Sequence, residues 1–337
     1  MTTHDETGLW VGIDLGGTKM HAVLYDGAYR PLARRRKKTR GHEGADAGLE
    51  RIAHAVEKLL DESGHDLEEV RGVGLGVPGP VDMEQGVIHA APNLGWQEVP
   101  LREWLERKLG CPVAVCNDVD AGVYGEYCFG AGRGGRAVLG VFPGTGIGAG
   151  LIYEGTIYRG RDSSCLEIGH MPVVSPGVLC GCGRRGCLET VASRLSLAAE
   201  VAKAAYRGQA PYILRVAGTD LANIRSGVLA AAIQAGDQAV EVIVREGARQ
   251  LGTALAGVAN LLLPDIIVLG GGLVEALPQL YLDEVYRELQ QRMMPTLAGR
   301  VELHIAELGD DAGVMGAAAW VRRHVQAQPP LATSCSH

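Results

Sequence analysis

Aromatic residues make up only 5% of the 337 positions, set against 48 glycines and 47% hydrophobic residues. That balance excludes a fibrous or disordered chain and describes a globular one rich in tight backbone turns. An excess of positive charge is also missing. Lys and Arg number 32 against 39 Asp and Glu, a formal net charge of −7, so there is no basic footprint for nucleic acid or an anionic membrane, and small-molecule partners are favoured. The single basic run, Arg34 to Lys38, follows a hairpin pattern. It reads as a solvated edge strand whose cations discourage edge pairing rather than as a phosphate patch. No apolar stretch reaches the length of a membrane span, and the opening MTTHDETG lacks the charged-then-apolar pattern of a signal peptide. A cytoplasmic protein is expected. Eight cysteines are sparse for a disulfide scaffold in so long a chain, and reduced thiols are expected.

The length suggests roughly two domains, since single cores stop growing at a few hundred residues. From Leu9 the chain reads LWVGIDLGGTKMHAVLYDG, two β-rich stretches around a glycine turn, which predicts a hairpin. Helical spacing from Ala47 to Leu60 (Leu49, Ile52, Ala53, Val56, Leu59, Leu60) is followed by an apolar strand, Val70 to Val77, and then by a helix from Leu101 to Leu109. The strand Pro112 to Cys116 delivers Asn117 and Asp118 at its carboxyl end, the edge at which open α/β sheets bind ligands. A second round begins at Ala137 with strand, glycine turn (Gly144 to Gly148) and strand to Tyr153, so the chain contains two related halves. A long apolar run from about Ala239 ends at Pro264, the strand Asp265 to Leu269 enters Gly270-Gly271-Gly272, and Asp311 to Val325 reads as a helix with Gly313, Gly316 and Ala317 on one face. The closing QAQPPLATSCSH reads as a frayed tail.

Asp14-Leu15-Gly16-Gly17-Thr18-Lys19 places a carboxylate at a strand end before a glycine turn, a hydroxyl and an ammonium. Glycines let backbone N–H groups approach phosphate oxygens, and the Asp can hold a hydrated Mg²⁺. A lone turn of this kind would be an ordinary hairpin. Two of them, with the second at Gly144, Thr145, Gly146 and Gly148, are more informative, because a nucleotide gripped by two lobes needs a phosphate hairpin from each. His170, Cys180, Cys182 and Cys187 supply one imidazole and three thiolates, a closed tetrahedral set for Zn²⁺. Their glycine-rich surroundings give buried free cysteines no apolar periodicity to serve, and a structural zinc is favoured because no ligand position is left open for water. Asp118 taken alone reads as a helix N-cap rather than as a general base.

In order along the chain, DLGGTK (14–19), NLGW (93–96), Asn117-Asp118, GTGIGAG (144–150), Glu167-Ile168-Gly169-His170, the Cys180 to Glu189 segment and LGGG (269–272) resemble the ROK family of sugar kinases and repressors. The resemblance runs from about Leu9 to Val325. Ala149 stands where the family usually has another glycine, and Pro143 removes a backbone donor ahead of the second turn. The resemblance implies an α/β, two-lobed actin-like ATPase (ribonuclease H-like) fold with a zinc-binding loop over 165–189. It implies a small domain of residues 9–117 plus helix 311–325 and a large domain of residues 118–310.

It further implies an ATP-dependent hexose kinase using Mg²⁺ and structural Zn²⁺, a homodimer or homotetramer, with Asp118 accepting the proton of the attacking hydroxyl. Asn93, Asn117, Asp118, Glu167, His170 and Glu189 are implied sugar contacts, and Gly270, Gly271 and Gly272 let the chain pass close to adenine or ribose. The combined Glu167, His170 and Cys180 segments point to glucose, phosphorylated to glucose 6-phosphate, with fructose, mannose and N-acetylmannosamine as runners-up and polyphosphate an open alternative as donor. A sugar-responsive repressor of the same family would carry a helix-turn-helix ahead of the first hairpin. The eight residues before Leu9 are too few for one, and the acidic balance also opposes DNA binding. Cys111, Cys116, Cys128, Cys165 and Cys335 are expected to be packing or tail residues.

Overall fold

The computed structural model describes residues 8–161 and 166–327. Its chain divides into two units. The first holds residues 8–128, 159–161 and 310–327. Its strands are β1 (Leu9–Leu15), β2 (Lys19–Tyr25), β3 (Pro31–Lys38), β4 (Val70–Val77), β5 (Val81–Asp82), β6 (Val87–Ala91), β7 (Trp96–Val99) and β8 (Val113–Asn117). Its helices are α1 (Ala45–Ser63), α2 (Leu101–Leu109), α3 (Asp118–Phe129, in this unit as far as Cys128) and α11 (Ala312–Ala327).

The main sheet has the order β3-β2-β1-β4-β8, with β1, β2 and β3 antiparallel and β4 and β8 parallel to β1. Both faces are covered, which is why β1 and β4 read as nearly continuous apolar runs. On edge strand β3, Arg34 and Arg36 reach Asp311 and Asp310 at the start of α11, while Arg35 reaches Glu62 of α1. Alternate residues of a strand face opposite sides, so the two helices cover opposite faces. The spacing predicted for α1 holds: Leu49, Ile52, Ala53, Val56, Leu59 and Leu60 are all buried. A second sheet, β5-β6-β7, carries the Asn93 turn between β6 and β7.

Helix α11 lies backbone to backbone on the sheet. A Cβ at Gly12 or Gly74 would overlap the carbonyl oxygens of Val314 or Ala317, and one at Gly316 that of Ala121 in α3. Glycine is the residue that permits such an approach, and it accounts for the small face read in the sequence. It also moves the expected boundary. Asp118–Cys128 and Asp310, assigned from the sequence to the large domain, group with the first unit. The physical reason is that α3 presents Gly125 to Ala312 and Ala121 to Gly316, so its close packing is with α11. Arg159 joins the same unit, with an ion pair of 3.2 Å to Glu84.

The second unit holds residues 129–158 and 166–309. It contains β9 (Ala137–Pro143), β10 (Ile147–Tyr153), β11 (Thr156–Ile157), β12 (Ile266–Leu269) and β13 (Glu302–Ile305). Its helices are α4 (Glu189–Ala192), α5 (Arg194–Tyr206), α6 (Pro211–Val216), α7 (Ser226–Gln234), α8 (Gln238–Leu262), α9 (Gly271–Ala276) and α10 (Pro278–Arg292). The sheet order β11-β10-β9-β12-β13 repeats the logic of the first unit: an antiparallel hairpin, then two parallel neighbours. The two related halves expected from the sequence are therefore present as two hairpin-led sheets. Helix α8 packs along α10 over a core that includes Leu251, Leu255, Tyr281 and Val285. Buried Glu284 of α10 joins the two helices, receiving Arg245 at 2.8 Å and Arg249 at 2.9 Å from α8. Among the described residues no helix is long and apolar enough to cross a membrane. Cys165, Cys335 and the tail beyond Ala327 lie outside the described residues.

Candidate active site and metal cluster

In the first unit, the β1–β2 turn is closed by Gly16 N–H donating to Lys19 O at 2.9 Å. Thr39 braces it from outside: its N–H donates to Thr18 O at 2.9 Å and its hydroxyl to Gly16 O at 2.6 Å. Among the described residues the N–H groups of Gly17 and Thr18 have no partner in the chain, the arrangement an anion-binding turn requires. Asn93 lies directly against Gly17. Thr39 carries no motif and was not singled out in the sequence.

Asp14 ends β1 beside this turn, and Asp118 begins α3 at the carboxyl end of β8. The N-cap of α3 is Asn117, whose Oδ1 accepts from Val119 N–H at 2.9 Å and Asp120 N–H at 3.4 Å while its amide donates to Gly79 O at 3.2 Å. Asn117 thus takes the capping role that Asp118 would have had as an ordinary helix start. Asp118 accepts from Val119 N–H at 2.9 Å. Burial pushes its carboxyl up to about 6, against which the hydrogen bonds it accepts work only in part. Asp14 is pushed up to about 7, by burial first and then by the charges of Asp118 and Asp310. A buried carboxylate raised further by a neighbouring carboxylate marks a place where a cation is favourable. Gly313 of α11 backs directly onto Asp14.

In the second unit, Pro143 closes β9 and Gly144 N–H donates to Gly146 O at 2.8 Å. Ile147 N–H is taken by Glu189 Oε2 at 3.0 Å. Thr145 and Gly146 keep N–H groups without a partner in the chain among the described residues, so the turn offers two donors despite the upstream proline. Ala149 is a buried member of β10, past the turn. Arg194 donates to Thr145 Oγ1 at 3.1 Å, and its backbone N–H to Gly144 O at 2.8 Å. A cavity of about 700 Å³ opens here, lined by Thr145, Arg194, Leu195, Leu221, Arg225 and Ser226 among others. Gly271, at φ +79°, packs on Pro143, and Gly272 faces Ser226, so the triple glycine does bring the chain close to the same turn. Arg194 and Arg225 were missed in the sequence. Each is a single arginine at the start of a helix, and only the fold brings them to Thr145.

His170, Cys180, Cys182 and Cys187 come together as expected, with all four donor atoms within 4.8 Å of one another. Cys182 Sγ lies 3.7 Å from Cys187 Sγ, and Cys180 Sγ 3.6 Å from His170 Nδ1. These are the edge lengths of a tetrahedron with metal bonds of roughly 2.0–2.3 Å, so the donor set fits Zn²⁺. Tight turns produce it: Cys180 N–H donates to Arg184 O at 2.7 Å, and Gly183 and Gly186 adopt positive φ. The N–H of Arg184 holds the Cys182 thiol below its ordinary range, favouring thiolate. Glu189 links cluster and turn, since its Oε1 lies 3.9 Å from Cys180 Sγ. Glu167 is exposed at the start of the short turn that ends in His170.

Two hairpin-led α/β units, each with a glycine turn at a strand end, define the actin-like ATPase fold. The ROK family model matches residues 10–324. A glucokinase of Halalkalibacterium halodurans is 35% identical over 91% of this chain and 93% of its own length. A putative xylose repressor of Caldicellulosiruptor is 31% identical over 98% of this chain and 82% of its own. Among solved structures, a ROK family glucokinase from Streptomyces griseus in complex with glucose and AMPPNP superposes with a TM-score of 0.80 at 34% identity, covering 94% of this chain and 100% of that one. The chain belongs to the ROK family.

Proposed function

We propose that the chain is a glucokinase, transferring the γ-phosphoryl group of ATP to glucose to give glucose 6-phosphate. Similarity to glucokinases over nearly their whole length supports the reaction. The single observation that carries the chemistry is Asp118, a buried carboxylate at a strand end with its pKa raised to about 6, near the operating range of a general base. It accepts the proton of the attacking hydroxyl as the hydroxyl oxygen bonds to phosphorus and ADP leaves. Gly16, Gly17, Thr18 and Lys19, and Gly144, Thr145, Gly146 and Gly148, are proposed to meet phosphate oxygens, and Gly270, Gly271 and Gly272 to border the nucleoside. Arg194 and Arg225 join them as cations of the cavity beside Thr145. Asp14 would hold Mg²⁺, which when bound neutralises charge developing on the phosphates. Asn93, Asn117, Glu167, His170 and Glu189 are proposed sugar contacts.

Zinc on His170, Cys180, Cys182 and Cys187 would supply structure rather than chemistry. With Nδ1 turned toward Cys180, His170 keeps Nε2 as a directed donor for a sugar hydroxyl. The test is steady-state turnover of ATP against glucose, fructose, mannose and N-acetylmannosamine. A higher kcat/KM for any of the other three removes glucose as the preferred acceptor and leaves the kinase. The likeness to a xylose repressor favours a second reading, a sugar-responsive regulator. That reading requires sugar binding without ATP turnover.

A further inference from the structure

We propose that the groove formed by β3 and α1 is a regulatory site for a small anion carrying two phosphoryl groups. Binding there rests on the groove alone, and its effect on ATP rests on the kinase reading. The groove, about 420 Å³, is lined by Arg35, Arg36, Lys37, Lys38, Arg40 and Arg51, with His54 on its α1 wall. Three carboxylates answer these six cations: Glu62 pairs with Arg35, Asp310 with Arg36, and Glu43 with both Arg40 and Arg51. Three positive charges are left over, and Lys37 and Lys38 have no carboxylate partner among the described residues. Cations on a sheet edge discourage pairing, which accounts for those of the strand itself. It does not account for Arg40, past the strand end, and Arg51, on a helix, converging on them. Arg40 is held at φ 51°, ψ 47°, a left-handed conformation that costs a non-glycine residue free energy. The Arg35 and Arg51 side chains are only 16% and 20% exposed, so two of the cations are fixed before any ligand arrives.

Charge and length select the ligand. Two phosphoryl groups bring about three to four negative charges at neutral pH, against the three uncompensated positive ones. From Arg35 to Lys38 the strand covers about 10 Å at roughly 3.3 Å per residue, room for two groups held apart. Planar guanidinium groups beside ammonium point charges are donors suited to phosphoryl oxygens. The groove also reaches the first phosphate turn. Lys38 stands opposite Lys19 in the β2–β3 register. The next residue, Thr39, makes the two hydrogen bonds that brace Gly16 and Thr18, and Arg51 of α1 donates to Thr39 O at 2.5 Å. A bound bisphosphate competes with Glu43 and Thr39 O for Arg51. Its charge, gathered at Lys38 one strand spacing of about 5 Å from Lys19, falls inside the Debye length of about 8 Å. Both effects loosen the hold of the turn on ATP, and by reciprocity ATP weakens the hold of the groove on the anion.

The experiment is calorimetric titration of the full chain with fructose 1,6-bisphosphate, inorganic pyrophosphate and inorganic phosphate, beside steady-state kinetics with ATP and glucose at excess Mg²⁺. Saturable binding of a two-phosphoryl anion, tighter than that of phosphate and weakened by added salt, is expected. The tighter of the first two probes tells an organic bisphosphate from pyrophosphate. At saturation the apparent KM for ATP should have risen about fivefold or more and then level off, as a finite coupling requires. The double variant Lys37→Gln/Arg40→Gln alters two exposed side chains outside the residues assigned to ATP and sugar. It should weaken anion binding on the order of tenfold or more and leave KM for ATP without the anion within about twofold. Glu43→Gln, which releases Arg40 and Arg51, should tighten binding, a gain that misfolding cannot produce. No saturable binding at millimolar probe overturns the inference, as do unchanged affinities in both variants. A KM for ATP that climbs without limit overturns it too, by placing the anion in the nucleotide site. Binding that behaves as expected in a chain that turns over no ATP overturns the kinase reading and leaves the groove standing.

Discussion

Replacing Asp118 by Asn should move activity and stability in opposite directions. The amide keeps the shape and can still accept from Val119 N–H, as the carboxylate does at 2.9 Å, but it cannot take a proton. The loss expected in kcat is on the order of 10²-fold or more, the usual worth of a general base, with glucose affinity largely retained. With a pKa of about 6, roughly nine in ten Asp118 carboxyls are ionised at pH 7, so the wild-type rate should fall roughly tenfold per pH unit below about 6. The stability sign follows from the same shift. Folding raises the pKa from 3.8 to about 6, so the folded state binds the proton more tightly than the unfolded chain. Stability from this group is full below about 4 and is lost as pH rises through about 6, a cost near 3 kcal/mol at pH 7 by linkage. Asparagine carries no such cost, and Asp118→Asn should raise Tm at pH 7 by several degrees, with the gain shrinking toward pH 4. The assays are coupled steady-state kinetics and thermal unfolding across pH on the same preparations. A kcat within a few-fold of wild type refutes the base. A lower Tm at pH 7 refutes the buried-charge argument and returns Asp118 to the structural role that Asn117 holds here.

Protein purified without chelator should contain about one zinc per chain by mass spectrometry, given four closed ligands. Removing the metal, or Cys182→Ser, should raise KM for glucose and leave KM for ATP nearly unchanged; an unchanged glucose KM in metal-free protein disproves the coupling. Arg194→Ala should raise KM for ATP several-fold without a matching change for glucose, through loss of a cation that now rests on Thr145 at 3.1 Å, and equal shifts in both would argue that it only braces the turn. Gly316→Ala inserts a methyl group where the Ala121 carbonyl already lies and should cost about 2 kcal/mol or more, read as a drop in Tm; an unchanged Tm would mean that α11 is not seated backbone to backbone.

The strands and helices that read clearly in the sequence did so because their patterns are local. Leu49 to Leu60 repeat with the helical period and are buried along one face of α1, and Val70–Val77 is apolar because both faces of its sheet are covered. The glycine turns and the zinc ligands were legible for a similar reason: each needs particular residue types at short spacing, and the four metal donors lie within 18 residues of one another. The sequence also placed Asp118 at the end of a strand. It could not say that Asn117 would cap α3 and leave Asp118 for chemistry, because that division depends on Gly79 O being positioned to hold the Asn117 amide. Nor could it say that α3 groups with α11, a contact made across nearly 200 residues by glycines whose partner carbonyls no local pattern reveals. Arg194 and Thr39 meet the phosphate turns only in three dimensions, and the charge run on β3 becomes a groove only once α1 folds against it. Local periodicity and motif spacing are written in the order of the residues; burial, electrostatic coupling and the convergence of distant side chains exist only after the chain has packed.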